Sequence, residues 1–217
     1  MAEDTTPKDR DTGRRNFFKR VGRSVGQAAL GGGLLTGLLQ LRKKRTAPIE
    51  ARGRLGLLRP PGAVDEADFL AKCIRCTRCS DACEAQCILL FGPEGGKHQR
   101  SPYIFSNEKG CTMCLQCGEA CPTGALVPLA EQSDVKMGVA VVDERLCVSH
   151  NGTGVCGACH TVCPLRNKAI VQDFRNAPLV DPDFCTGCGL CEEICIVRDR
   201  RAIQVKTDRA WDEEVGV

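Results

Sequence analysis

The chain has 217 residues, enough for one or two small domains, and only 4% of them are aromatic, which argues against a large conventional hydrophobic core. Its seventeen cysteines approach the level at which disulfides or metals hold a small protein together. The formal net charge of +3 is uneven, because residues 1–45 carry 11 Lys/Arg against 4 Asp/Glu, whereas the remainder carries 19 basic and 23 acidic residues. Without a stripe of basic and aromatic residues, nucleic-acid binding is a poor interpretation.

The N-terminal residues 13–20, GRRNFFKR, resemble a twin-arginine export signal. The residues that carry this resemblance are Arg14, Arg15, Phe17, Phe18 and Lys19. Residues 24–41 then contain no charge, and as a helix they would span roughly 27 Å, close to the thickness of a bilayer core. We predict that residues 1–45 are an export signal or a retained N-terminal anchor; a surface amphipathic helix is the alternative.

The resemblance to an export signal implies a periplasmic protein that the twin-arginine translocase carries. That route transports folded proteins, often with cofactors already inserted. Cysteines exposed to oxidation outside the cytoplasm could therefore arrive already bound to metal.

After a linker at residues 46–62, the first cysteines of four groups fall at 73, 111, 147 and 185, at spacings of 38, 36 and 38. Such regularity indicates duplicated units. We predict a single four-cluster domain at 63–217, with repeats at about 63–100, 101–136, 137–174 and 175–217.

Each repeat carries one cysteine motif, numbered I to IV. Motifs I, II and IV have the spacing C-x2-C-x2-C-x3-C, and motif III widens the first gap to eight residues. In the bacterial ferredoxin run, three closely spaced thiolates bind one cluster and the fourth reaches the partner cluster. Zinc ribbons use paired CxxC units instead, and cysteines this close on tight loops are hard to pair as disulfides. We therefore predict four [4Fe–4S] clusters, with these sixteen ligands: Cys73, Cys76, Cys79, Cys83, Cys111, Cys114, Cys117, Cys121, Cys147, Cys156, Cys159, Cys163, Cys185, Cys188, Cys191 and Cys195.

The stretch CGACH at 156–160 also matches the attachment motif of c-type haem. Both of its cysteines, however, belong to a complete ferredoxin motif that ends in Cys-Pro. We interpret His160 as an ordinary residue rather than a haem ligand.

A seventeenth cysteine, Cys87, follows motif I. It occupies the place that small residues hold after the other motifs: Ala125, Ala169 and Ala202. We predict that Cys83, which has the ferredoxin spacing, is the ligand, and that Cys87 is a small buried side chain. A replacement ligand at Cys87 is the alternative.

Proline follows the fourth cysteine in motifs II and III only, whereas Glu84 and Ile196 take that place in motifs I and IV. The inner motifs thus resemble each other, as do the outer ones. From this pattern we hypothesise nested pairing, in which motif I shares clusters with IV and motif II with III. Pairing of neighbours, I with II and III with IV, remains the alternative.

The flanks VAVVDERLC and APLVDPDFC each predict a short strand, an acidic turn and the first cysteine of a motif. Segments such as GEACP and EEIC predict single helical turns. We therefore expect an α+β fold of tandem bacterial-ferredoxin-like units, with short strands and helices wrapped around four iron–sulfur clusters.

Four features carry a resemblance to a known family: the stretch RPPGAVDEADFLAKCIRC at 59–76, the twin-arginine start, the widened motif III and the run CTGCGLCEEIC. Together they resemble NapG/MauM-type ferredoxin proteins over nearly the whole chain. The resemblance implies a periplasmic protein with four [4Fe–4S] clusters. For the NapG type it implies electron flow from a membrane quinol-oxidising partner toward a periplasmic reductase. For the MauM type it implies a role in methylamine utilisation.

The sequence shows no nucleophile–base set and no phosphate-binding loop, so we predict an electron-transfer component without a substrate site of its own. Two alternatives stay open. One is an iron–sulfur maturation or structural factor, and the other is the iron–sulfur subunit of an exported molybdenum oxidoreductase.

Overall fold

The computed structural model describes residues 57–207 and Arg209. The predicted export signal at 1–45 and most of the predicted linker therefore lie outside the described residues. Within the described part, no helix is long and apolar enough to cross a membrane.

Short strands and short helices alternate along the described chain. The strands are β1 (Leu57–Leu58), β2 (Ile88–Leu90), β3 (Pro102–Phe105), β4 (Val139–Val142), β5 (Ile170–Gln172), β6 (Pro178–Val180) and β7 (Ile203–Lys206). The α-helices are α1 (Glu66–Lys72), α2 (Arg78–Asp81), α3 (Gln116–Glu119), α4 (Ala158–Val162) and α5 (Leu190–Glu193). Two 3-10 segments lie at Pro93–His98 and Gln132–Asp134. This mixture is consistent with the predicted α+β class.

In the second half of the chain, the strands that flank motif III pair antiparallel with the strands that flank motif IV. Strand β4, which precedes motif III, pairs with β7, which follows motif IV, and Val139 lies opposite Lys206. Strand β5, which follows motif III, pairs with β6, which precedes motif IV. The valine-rich run at 139–142 suits such a half-buried strand.

The first half repeats this arrangement around motifs I and II. Strand β2, after motif I, pairs with β3, before motif II, and β1 adds to the other edge of β3. The segment before motif I meets the segment after motif II at the antiparallel bridge between Ala63 and Leu126. Val64 donates to the carbonyl of Ala125 at 3.2 Å beside that bridge. Motifs I and II thus belong to one unit, and motifs III and IV to another.

The cysteines themselves form much of the interior. Seven of them share one core with the aliphatic side chains, namely Cys83, Cys87, Cys111, Cys117, Cys185, Cys188 and Cys191. Leu58, Phe69, Ile104, Met113 and Leu126 are the bulkiest apolar side chains of that core in the first unit, and each is at most 1% exposed. The low aromatic content is therefore matched by a core that is built partly from sulfur.

A buried ion pair fixes the start of the first unit. Arg59 is 2% exposed and donates from Nε to Glu66 Oε2 at 3.0 Å. Its guanidinium also lies 4.3 Å above the ring of Phe69. Arg209 approaches the same carboxylate at 3.4 Å. These contacts tie the segment after β1 to helix α1 and to a residue beyond β7.

Candidate metal centres

Three cavities of similar size are each lined by four of the predicted ligands. Their volumes are about 20 Å³, 20 Å³ and 30 Å³. We name them site A (Cys73, Cys76, Cys79 and Cys121), site C (Cys185, Cys188, Cys191 and Cys163) and site D (Cys147, Cys156, Cys159 and Cys195). Each site takes three cysteines from one motif and the last cysteine of the neighbouring motif.

We assign the four predicted ligands that remain to site B: Cys111, Cys114, Cys117 and Cys83. Cys87 links its two parts, because its thiol lies 3.6 Å from Cys83 Sγ and also interacts with the Cys111 thiol. The Cys111 thiol thus interacts with Cys87, and Cys87 lies beside Cys83, so motif I adjoins motif II at site B. Cys87 is 2% exposed, so the predicted burial of this side chain is confirmed.

The predicted nested pairing is wrong. It required Cys195 to join motif I and Cys83 to join motif IV, whereas Cys121 lines site A and Cys195 lines site D. The reason lies in the strands, since the segments that flank motifs I and II pair with each other, as do those that flank motifs III and IV. A proline after the fourth cysteine does not determine which motif is the partner.

Left-handed backbone turns position the first three cysteines of three motifs. The residues on either side of the second cysteine have φ values between 56° and 81° in motifs I, II and IV. These residues are Arg75, Thr77, Met113, Leu115, Gly187 and Gly189. A β-branched residue such as Thr77 rarely adopts this conformation, and such strain gathers at functional sites. Sequence reasoning missed these positions, although the glycines of motif IV, aligned with motifs I and II, could have indicated them.

Backbone N–H groups point at several of the sulfur atoms. Met113 donates to Cys111 Sγ at 3.3 Å, and Leu126 donates to Cys121 Sγ at 3.4 Å. Ala140 donates to Cys185 Sγ at 3.4 Å. Hydrogen bonds to a charged acceptor are stronger than those to a neutral one, so these donors favour thiolate sulfur.

The donor set fits a cationic cofactor. Burial raises the pKa of the Cys79, Cys159 and Cys188 thiols to about 11, so a bound metal is what stabilises their thiolate forms at neutral pH. Sulfur-only sites suit soft metal centres, and four thiolates are the usual ligands of a [4Fe–4S] cluster. Within residues 57–207 and Arg209, no group of three or more His, Cys, Asp or Glu side chains is arranged to hold a single metal ion.

The CGACH stretch takes part in site D rather than standing alone. Cys156 and Cys159 line that cavity with Cys147 and Cys195. The ring of His160 is engaged elsewhere, with its Nε2 2.8 Å from Asn167 Oδ1. The interpretation of His160 as an ordinary residue agrees with this placement.

Two units with paired three-plus-one cysteine sites define the class of tandem dicluster ferredoxin domains. A 4Fe-4S dicluster domain family matches residues 72–125, and a second family of the same description matches residues 139–196. The two matched ranges coincide with the pairs I–II and III–IV.

Curated proteins extend the similarity over most of the chain. The methylamine utilization ferredoxin-type protein MauM of Methylobacillus flagellatus is 37% identical over 199 residues, covering 86% of this chain and 80% of MauM. MauM of Methylorubrum extorquens is 35% identical, covering 88% of this chain and 87% of that protein. The ferredoxin-type protein NapG of Escherichia coli is 34% identical, covering 89% of this chain and 85% of NapG. The chain therefore belongs to the family of ferredoxin-type iron–sulfur proteins that includes MauM and NapG. No solved structure matches it.

Proposed function

We propose that this protein is an electron-transfer protein that holds four [4Fe–4S] clusters, one in each of sites A to D. The observation that supports this proposal best is the recurrence of four cysteines around one cavity at sites A, C and D. The sixteen ligands are those predicted above, including Cys83 in site B. When bound, each cluster supplies a centre that accepts and releases one electron.

The chain's own residues have three roles in this proposal. In motifs I and IV, the left-handed turns at Arg75 and Gly187 each bring the first three sulfurs of the motif toward one cavity. The N–H donors of Met113 and Ala140 stabilise negative charge on sulfur. Burial of cysteines such as Cys191, which is 6% exposed, limits the access of water. The last two features are among those that set the reduction potential of an iron–sulfur centre.

The route of the electrons is a proposal that rests on family likeness. Relatives named NapG and MauM are similar to this chain over similar lengths, at 34% and 37% identity. We infer a membrane quinol-oxidising donor and a periplasmic redox acceptor: a reductase if the protein works as NapG does, or a component of methylamine utilisation if it works as MauM does.

Copurification from native membranes, followed by reduction with a quinol, tests this role. We expect the protein to be recovered with a membrane partner, and its iron–sulfur absorbance to bleach on addition of the quinol only when that partner is present. Normal cluster assembly without any quinol-dependent bleaching would favour a maturation factor. Tight copurification with a large molybdenum subunit would favour a role as that enzyme's iron–sulfur subunit.

We also propose periplasmic delivery by the twin-arginine translocase, supported by the pattern at residues 13–20. Replacing Arg14 and Arg15 by lysine keeps the charge but removes the paired guanidiniums, whose geometry lysine does not reproduce. We expect this variant to accumulate in the cytoplasm with its clusters, as measured by fractionation and immunoblotting. Unchanged delivery to the periplasm would contradict the proposal.

A further inference from the structure

We propose that the four cysteine sites form one unbranched series in the order A–B–C–D, in which sites B and C join the two ferredoxin units. In terms of motifs, the order is I, II, IV, III, which differs from the order along the chain. This inference rests on the proposed function, because it concerns the arrangement of the centres that the four sites would hold.

The contact between sites A and B lies inside the first unit. Helices α2 and α3, which carry Cys79 of site A and Cys117 of site B, pack against each other. Sites A and B are therefore neighbours.

The contact between sites B and C crosses from one unit to the other. The backbone N–H of Cys111 donates to the backbone carbonyl of Cys188 at 2.7 Å, so a direct hydrogen bond joins a site B cysteine to a site C cysteine. Next to this bond, the hydroxyl of Thr186 donates to the thioether sulfur of Met113 at 3.2 Å. The first turns of motifs II and IV thus lie against each other.

Glycines make this close approach feasible. A methyl group at Gly110 would lie 2.5 Å from the backbone nitrogen of Leu190 and 2.8 Å from the carbonyl carbon of Gly189. The N–H of Gly110 also donates to Glu193 Oε2 at 2.8 Å. Because the atoms that a methyl group would meet belong to backbone, the junction can relax only if the backbone on one side of it shifts.

The contact between sites C and D lies inside the second unit. Helices α4 and α5, which carry Cys159 of site D and Cys191 of site C, pack against each other. No comparable contact joins site A to site D among the interactions of the described residues, so the series has two ends.

Electron paramagnetic resonance of fully reduced protein tests this order, because unpaired spins on neighbouring clusters couple and broaden each other's signals. One site at a time is removed from the full-length chain by a double alanine substitution. The four variants are Cys76→Ala/Cys79→Ala for site A, Cys114→Ala/Cys117→Ala for B, Cys188→Ala/Cys191→Ala for C and Cys156→Ala/Cys159→Ala for D.

We expect the loss of site B or of site C to leave one uncoupled cluster and one coupled pair. Loss of site A or of site D should leave three clusters that are all coupled. A sharp uncoupled signal in the variant that lacks site A or in the variant that lacks site D would overturn the order. So would the absence of such a signal both in the variant that lacks site B and in the variant that lacks site C. A wild-type chain without iron would instead contradict the proposed function, so the two failures are distinguishable.

Gly110→Ala keeps all sixteen predicted ligands and provides a second test should a deletion variant fail to fold. We expect it to weaken the coupling between the two units while the coupling within each unit persists. Gly154→Ala is the matched control, since the nearest atom to its added methyl group would be Val148 Cβ at 3.9 Å. Coupling between the units that is equal in Gly110→Ala and Gly154→Ala would contradict the assigned junction.

Discussion

At the scale of single residues, Cys87 stands at the position that alanine occupies after the other three motifs, but its side chain carries a thiol. It is 2% exposed, and Ala125, which holds the same place after motif II, is 1% exposed. The residue before each is left-handed, with φ of 51° at Gln86 and 69° at Gly124. The two turns therefore match, and only Cys87 adds a sulfur atom beside Cys83.

Alanine substitutions separate the roles of Cys83 and Cys87. Cys83→Ala should remove one thiolate from site B, so that a four-iron cluster is lost or decays to a three-iron form. Cys87→Ala should keep all four clusters, at a stability cost of about 1–2 kcal/mol for a small buried truncation. Iron and sulfide analysis with resonance spectra of each variant provides the measurement.

The spectra of these variants also report on pairing. Cys83→Ala should affect the same cluster as Cys114→Ala, and a different one from Cys188→Ala. Iron that is lost in Cys87→Ala but kept in Cys83→Ala would make Cys87 the ligand of site B.

The sequence predicted which cysteines gather but not how the motifs pair. Spacing within a motif is local, so C-x2-C-x2-C-x3-C already determines which three sulfurs share a turn. Pairing depends on contacts distant in sequence, such as Ala63 with Leu126 and Val142 with Ile203. Strands of two to four residues carry too little pattern to reveal those partners.

At the scale of elements, a close approach of strand β4 to motif IV requires a glycine. A methyl group at Gly187 would lie 2.4 Å from the backbone nitrogen of Gly138, immediately before β4. Gly124 has nearly the same left-handed backbone, with φ of 69° against 70°. A methyl group there would meet nothing within 4 Å.

This pair of glycines therefore isolates the effect of the contact. Gly124→Ala should lower the free energy of unfolding by about 1–2 kcal/mol, because alanine is strained in the left-handed region. Gly187→Ala should cost about 1–3 kcal/mol more, because its methyl group overlaps backbone. Chemical denaturation followed by circular dichroism measures both, and equal losses would contradict the close approach.

The ion pair of Arg59 and Glu66 connects the segment after β1 to helix α1. Both side chains are at most 9% exposed. Arg59→Met should therefore destabilise the protein by about 3 kcal/mol, because it leaves a buried carboxylate with a weaker set of partners. Lys72→Met is the control: Lys72 is 47% exposed and lies 3.8 Å from Asp68, so its loss should cost less than about 0.5 kcal/mol. Similar losses in the two variants would show that the buried pair has no special role.

The sequence predicted the kinds of elements better than their bounds. The run VAVV at 139–142 predicted a strand because β-branched residues favour extended backbone, and β4 lies there. Helices α2, α3 and α5 have four residues each, which is a single turn. A helix of that length shows no apolar periodicity, and the cysteine turns around it fix its position.

At the scale of the whole molecule, the described chain is two copies of one arrangement. In each, the strand after the first motif pairs with the strand before the second, and the outer segments close the unit. The predicted four-fold repeat is thus organised as two pairs, and the dicluster families match the same two ranges, 72–125 and 139–196. Sulfur at the centre of each pair takes the place of the aromatic core that the composition lacks.

The central claim is that sites A to D each hold a four-iron cluster. Quantitative analysis of iron and acid-labile sulfide in the anaerobically purified full-length chain tests it most directly. The account predicts about sixteen of each per chain, since each of the four sites offers four cysteines to one [4Fe–4S] cluster. Stoichiometric zinc, covalently attached haem, or about eight iron per chain would contradict it.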